Sequence, residues 1–177
     1  MNKIYYSREE MKQLNIDKLK ERGVDINDIA QIAFVQQQKY NKNVKFEECL
    51  ESVKKILSLR DVFHLLQLGA EIDRLCEEKA FKGPIQDIMF NDLGVFGVDE
   101  IFGLDIASLY GAIGKTNFGD IDVNKPGLVG KLNELGKPDK PGCHTFMDDI
   151  VGAIAAAATT RSSQIFSEEV ARESLDK

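Results

Sequence analysis

An all-α fold, in a single compact multi-helix domain, is what this sequence predicts, and three observations carry the expectation. No stretch alternates β-branched and polar residues in the manner of a half-buried strand. Apolar residues instead recur three and four apart between Gly- and Pro-marked breaks, the period of one helix face. The longest apolar run, Ile150–Ala158, ends in four consecutive alanines, which suits a central small-residue-rich helix that its neighbours can approach closely. With 177 residues, the chain has the size of about one domain, residues 1–177, and needs neither disulfide nor metal to fold.

The elements follow in order. Ser7-Arg8-Glu9-Glu10 has the form of a capping box, and Gly23 stops the helix it opens. Asp25 or Asn27 caps a second helix, carrying Ile29, Ile32, Ala33 and Val35 to about Tyr40. The polar segment Asn41–Lys45 is a loop, and Leu50, Val53, Ile56 and Leu57 mark a third helix from about Phe46. Arg60–Phe81 reads as helical, either continuous with the third helix or separate from it. Gly83-Pro84 breaks the pattern, and Pro84 suits the first turn of a short helix to about Phe90. After the loop Asn91–Gly97, a helix opens near Val98 and passes Ile101, Leu104, Ile106, Leu109 and Ile113. Gly114–Pro126, rich in Gly and Asn, is expected to be irregular in part. Leu128–Leu135 is a short helix, Gly136–Gly142 with its two prolines a loop, and Thr145–Gln164 the last helix.

Composition narrows the function. The formal net charge is −6, and it is uneven: residues 1–60 hold twelve Lys and Arg against nine Asp and Glu, the remainder eleven against twenty. Nucleic-acid binders gain affinity from clustered basic residues, so no nucleic-acid partner is expected. No apolar run approaches the roughly 20 residues of a spanning helix. The N-terminus reads as no signal peptide, and three widely separated cysteines (Cys49, Cys76, Cys143) read as free thiols, so the expected location is cytoplasmic, with peripheral membrane contact allowed. The mixed charges of Glu9–Arg22 read as a solvated helix face. The small face of Gly152–Ala158 suits packing within the chain or against a second copy, and a homo-oligomer is expected.

Carboxylates stand where the helices are apolar. Asp148-Asp149 lies inside Phe146–Ile154, and Asp99-Glu100 inside Gly97–Leu104. A buried lone carboxylate is very costly unless paired or bound to metal. Between the pairs stands Asp122-Val123-Asn124-Lys125-Pro126. Together these residues can form a Mg²⁺ cluster beside a cationic phosphate contact. The same residues also fit structural work: Asp99 as a first-turn cap, Asp148 as the acidic member of a capping box with Thr145, and the rest as ion pairs. Cys143-His144 has no CxxC or His-x₃-His companion and reads as a packing thiol and a locally bonded histidine, although His144 could donate a proton to a leaving group. His64 reads as a core histidine. Gly111-x-x-Gly114-Lys115-Thr116 is too short for a P-loop and follows no strand. Phe96, Phe102 and Phe118 read either as core or as exposed rings that dip into a lipid interface.

Three segments in order resemble the phosphatidylglycerophosphatase A family: Val98–Leu104, Asp122-x-x-Lys125-Pro126 and Met147–Ala153. The likeness is greatest to its soluble, stand-alone Gram-positive branch, the low-temperature-requirement C proteins, and includes Leu68–Asp73 and Gly111–Gly119. The resemblance implies Mg²⁺-dependent (or Mn²⁺-dependent) hydrolysis of phosphatidylglycerophosphate to phosphatidylglycerol and phosphate. It implies Asp99, Glu100, Asp122, Asp148 and Asp149 as metal ligands. Asp99, Glu100, Asp149 and Lys125 would be catalytic, with Lys125 on the phosphate. Asp73, Asn117 and Thr145 are secondary candidates. A metal-activated water is the expected nucleophile, because no seryl or cysteinyl group has an evident base beside it. The chain lacks the hydrophobic spans of the membrane-bound enzymes and has the polar segment Phe34–Tyr40 in place of their Gly/Pro-rich one. The alternatives are a phosphatase for a small soluble phosphomonoester and a non-catalytic helical interaction or stress-adaptation protein on the same fold.

Overall fold

The structure, a computed structural model, describes residues 5–91, 93–95, 97–136 and 142–175. Among them nine helices and no strand occur: α1 (Arg8–Glu21), α2 (Ile26–Gln37), α3 (Phe46–Leu57), α4 (Arg60–Glu77), α5 (Pro84–Phe90), α6 (Glu100–Ser108), α7 (Gly111–Asn124), α8 (Leu128–Leu135) and α9 (Met147–Leu175). The first half of α9 is the axis. Residues 147–160 are all buried, and α2, α3, α4, α6, α7 and α8 pack around them. A helix apolar on every side is stable only when enclosed on every side. The small stretch Gly152–Ala158 is therefore consumed within the chain and offers no face to a second copy.

Local chemistry sets the ends. The Ser7 hydroxyl accepts from the Glu10 amide at 3.3 Å, and the Glu10 carboxylate accepts from the Ser7 amide at 2.9 Å. The Asp25 carboxylate accepts from the Asn27 amide at 2.8 Å to open α2. Leu59 separates α3 from α4 with extended backbone, and α4 ends at Glu77, short of Phe81. The helix expected from 98 through 113 divides into α6 and α7 at Gly111, whose φ of +70° few other residues adopt. Beyond Gln164, α9 continues to Leu175 as an exposed helix of mixed polar and apolar residues, carried by strong helix formers such as Glu168, Ala171 and Arg172.

The segment 114–126, expected to be irregular in part, is helical through Asn124. Gly114, with Gly103 on the facing helix α6, marks a close approach rather than a break, while Gly119 has open space around it. A Cβ on Gly114 would lie 2.2 Å from the Ala107 carbonyl oxygen, and one on Gly103 would lie 2.5 Å from the Phe118 ring. Gly114→Ala is expected to lower stability by about 2 kcal/mol, because a backbone atom must move to admit one methyl. Urea unfolding reads this as a lower midpoint at unchanged slope.

Phe118 is buried against Gly103, and Phe102 packs edge-on to Phe146 with ring centroids 5.1 Å apart, so both are packing residues. Phe96 lies outside the described residues. His64, expected in the core, is exposed beside the Phe63 ring. No helix of the described residues is long and apolar enough to cross a membrane.

Candidate functional site

The start of α9, the start of α6 and the end of α7 converge on one cleft of about 410 Å³, including its open mouth. Asp99, Glu100, Asp122, Lys125, Asp148 and Asp149 all line it. The α9 start is held from a distance. Asp73, fully buried on α4, accepts from the Phe146 amide at 3.1 and 3.2 Å and from the Met147 amide at 3.0 Å, so the helix is capped in trans. Asp148, expected as the local capping partner of Thr145, accepts instead from the Asp149 amide at 2.9 Å and from Lys125. Arg22 donates to both Glu77 oxygens at 2.9 and 2.7 Å and to the Cys143 carbonyl at 2.6 Å, while Glu77 accepts from the Cys143 amide at 2.8 Å. The segment entering α9 is thus pinned to α1 and α4.

Lys125 closes α7 in the left-handed region, φ 42° and ψ 55°, immediately before Pro126. That conformation costs a non-glycine about 1 kcal/mol or more. It directs Nζ to Asp122 Oδ1 at 2.7 Å, Asp148 Oδ2 at 3.0 Å and Asp149 Oδ1 at 3.6 Å. On the other side of Asp149, one oxygen each from Asp99, Glu100 and Asp149 lie within 4.8 Å of one another. Asp149 belongs to both groups. Among the described residues, the carboxylates therefore divide into a three-acid cluster and a pair, Asp122 and Asp148, that holds the lysine.

The electrostatics follow from crowding. Burial, with Asp148 close by, pushes the Asp149 carboxyl up to about 9. Burial and neighbouring Glu100 push Asp99 up to about 7. Burial opposes the charge of Lys125, yet Asp148, Asp122 and Asp149 hold its ammonium above the usual lysine range. Glu100 Oε2 is buried with no hydrogen-bond partner among the described residues. Three hard oxygen donors, one of them orphaned, beside a surplus of carboxylates fit a hard divalent cation and contain no soft ligand.

Other expectations land elsewhere. The Asn117 amide donates to Thr160 at 3.0 Å and does not line the cleft. Thr145 lines it while donating to the Met89 carbonyl at 3.3 Å. The Cys143 thiol is buried, which together with the charge of Asp73 holds its pKa well above the usual thiol range and keeps it protonated. His144 lines the cleft with Nδ1 buried and unpartnered among the described residues, and burial beside Arg22 holds the imidazole neutral. Asn133, which sequence reasoning missed, also lines the cleft; in α8 it is one polar residue among others, with Lys131 and Glu134 close by, and carries no distinguishing signal.

Comparison with known proteins identifies relatives of the chain that span the residues of this cleft. The family model described as phosphatidylglycerophosphatase A matches residues 28–163. YpjQ of Bacillus subtilis is 44% identical over 156 residues, covering 88% of this chain and 86% of its own length. YutG of the same organism is 42% identical over 144 residues, covering 81% and 85%; both are described as uncharacterized. Among solved structures, the low temperature requirement C protein from Listeria monocytogenes superposes with a TM-score of 0.83 at 41% identity, covering 89% of this chain and 97% of that one. The crystal structure of YpjQ gives 0.85 at 40% identity, covering 92% and 99%. A match across the acidic segments and the helices that present them shows that the chain belongs to the phosphatidylglycerophosphatase A family.

Proposed function

We propose that the protein is a Mg²⁺-dependent phosphomonoesterase acting on the terminal phosphate of phosphatidylglycerophosphate. The observation that carries this reading is the Asp99–Glu100–Asp149 cluster sharing one cleft with Lys125. Asp99, Glu100 and Asp149 hold the cation. Bound there, Mg²⁺ (or Mn²⁺) supplies the charge that polarises the phosphoryl group and lowers the pKa of water. Lys125 donates from Nζ to the phosphoryl oxygens, and Asp122 and Asp148 fix its direction. Family membership and the hard-oxygen donor set both favour this chemistry over a non-catalytic role.

Phosphate release from phosphatidylglycerophosphate in mixed micelles tests the reading. Release is expected with Mg²⁺ or Mn²⁺, to vanish in EDTA, and to fall about a hundredfold in kcat/KM in Lys125→Met, the size of one lost charged donor at a reacting oxyanion. A folded, Mg²⁺-loaded protein that releases nothing from this lipid or from glycerol 3-phosphate would overturn it in favour of an interaction role.

A further inference from the structure

The cleft has charged walls and an apolar rim. Helices α6 and α7 pack as an antiparallel hairpin whose register is fixed by two contacts, Gly103 against Phe118 and Ala107 against Gly114. Continued one turn towards the open end, the same register sets Asp99 opposite Asp122 and Val98 opposite Val123. The two carboxylates line the cleft, whereas the two valines beside them are more than half exposed. Ile101, next to Glu100, is exposed to the same degree. On the α8 side, the exposed Leu135 lines a shallow depression that shares Lys125 and Asn133 with the cleft. Single aliphatic side chains in water are ordinary on a protein surface. Four branched ones, from three elements that build one polar opening, make a patch of the kind that marks a contact.

We propose that this rim seats on the surface of a lipid bilayer, with the cleft opening towards the headgroups. The inference rests on the phosphatase reading, which brings the cleft mouth to a phosphate that a bilayer carries. One glycerol and one phosphodiester separate the terminal phosphate of that lipid from its diacylglycerol. Lys125 is two residues beyond Val123, at most about 7 Å from Cα to Cα. A headgroup of that length meets the lysine while both acyl chains stay in the bilayer, so a wholly polar cleft suffices. The contact is apolar rather than electrostatic. The chain carries a formal net charge of −6 and the cleft walls are acidic, so an anionic surface contributes little attraction. Burial of the rim side chains in the interface holds the protein there, at up to about tenfold in partitioning for each.

The chain contains no tryptophan, so Ile101→Trp makes a single reporter on the rim. The Mg²⁺-loaded variant is mixed with vesicles of phosphatidylcholine, with and without phosphatidylglycerol. A blue shift and quenching by lipids brominated near the headgroup are expected on both, and both signals should persist in high salt. Sedimentation with the same vesicles reads the unlabelled protein. Val98→Ser with Val123→Ser is expected to lower partitioning about tenfold or more. Turnover of phosphatidylglycerophosphate in vesicles should fall with it, while turnover of glycerol 3-phosphate stays unchanged. Ile113→Ser serves as control: Ile113 is also more than half exposed, at the far end of α7 and about 15 Å from Val123. Partitioning that is absent, lost in high salt or unchanged in the double variant would overturn the docking surface, as would an equal loss in Ile113→Ser. A dimer in sedimentation equilibrium that the double variant abolishes would overturn it too, in favour of a second copy. Rim-dependent vesicle binding without hydrolysis of any phosphate would uphold the surface and overturn the phosphatase. Hydrolysis of glycerol 3-phosphate by a protein that ignores vesicles would do the reverse.

Discussion

Asp149→Asn is expected to cut metal-dependent phosphate release about a thousandfold while leaving the metal-free protein at least as stable as wild type at pH 8. The two halves of this result have one cause. Asp149 is 4% exposed, between Asp148 on one side and the Asp99–Glu100 pair on the other. Removing its charge removes a shared ligand, worth about 4 kcal/mol of transition-state stabilisation if the metal is the main electrophile. It also removes a charge that the metal-free fold disfavours. The sign follows from linkage. The folded pKa is about 9 and the unfolded value about 3.9, so between those limits the folded state carries the extra proton. Wild-type stability from this group is full below about pH 4 and is lost as pH rises towards 9. Asp99, raised to about 7, adds the same sign over a narrower window. Asparagine has no such slope. Calorimetry in EDTA should therefore show the variant gaining on wild type from pH 5 to pH 9. Millimolar Mg²⁺ should raise the wild-type Tm, more at high pH, and move the variant little. Wild-type turnover in the variant would remove the cluster from the chemistry. Parallel pH profiles would show that Asp149 is charged in the metal-free fold.

Much of this was legible in the sequence because it is local. A capping box needs only Ser7 and Glu10, and the α9 axis needs only an apolar run with alanines. The acidic motifs were legible as candidates because carboxylates inside apolar helices require a reason. What the sequence withheld was pairing. Asp122 and Asp148 look like Asp149 in the chain, and only the left-handed turn at Lys125 assigns them to the lysine. Gly114 misleads for a related reason: a turn and a close helix crossing use the same residue, and only the Ala107 oxygen distinguishes them.

The same logic makes Asp73→Ala the second large effect, a loss of about 3 kcal/mol in stability from a residue outside the cleft. Asp73 lies 73 residues before Phe146 in sequence, yet its carboxylate is the acceptor for the first amides of the central helix. Truncation leaves the Phe146 and Met147 amides without that partner in a buried setting, at about 1–3 kcal/mol for each donor left unsatisfied. It also deprives the Cys143 thiol of an acceptor 3.8 Å away. No local side chain substitutes, because Asp148 is already engaged with Lys125 and Thr145 with Met89. Asp73→Asn keeps one acceptor oxygen and should lose no more than about half as much. Urea unfolding of the two variants measures the difference. Faster amide exchange at Phe146 and Met147, ahead of the rest of α9, would assign the loss to the cap rather than to packing. Because Asp148 and Asp149 occupy the very turn that Asp73 anchors, Asp73→Ala should also weaken the Mg²⁺-induced rise in Tm at temperatures where the protein remains folded. Equal losses from Ala and Asn, with exchange unchanged at the helix start, would mean that the start of α9 is held by the Arg22–Glu77 grip on Cys143 alone.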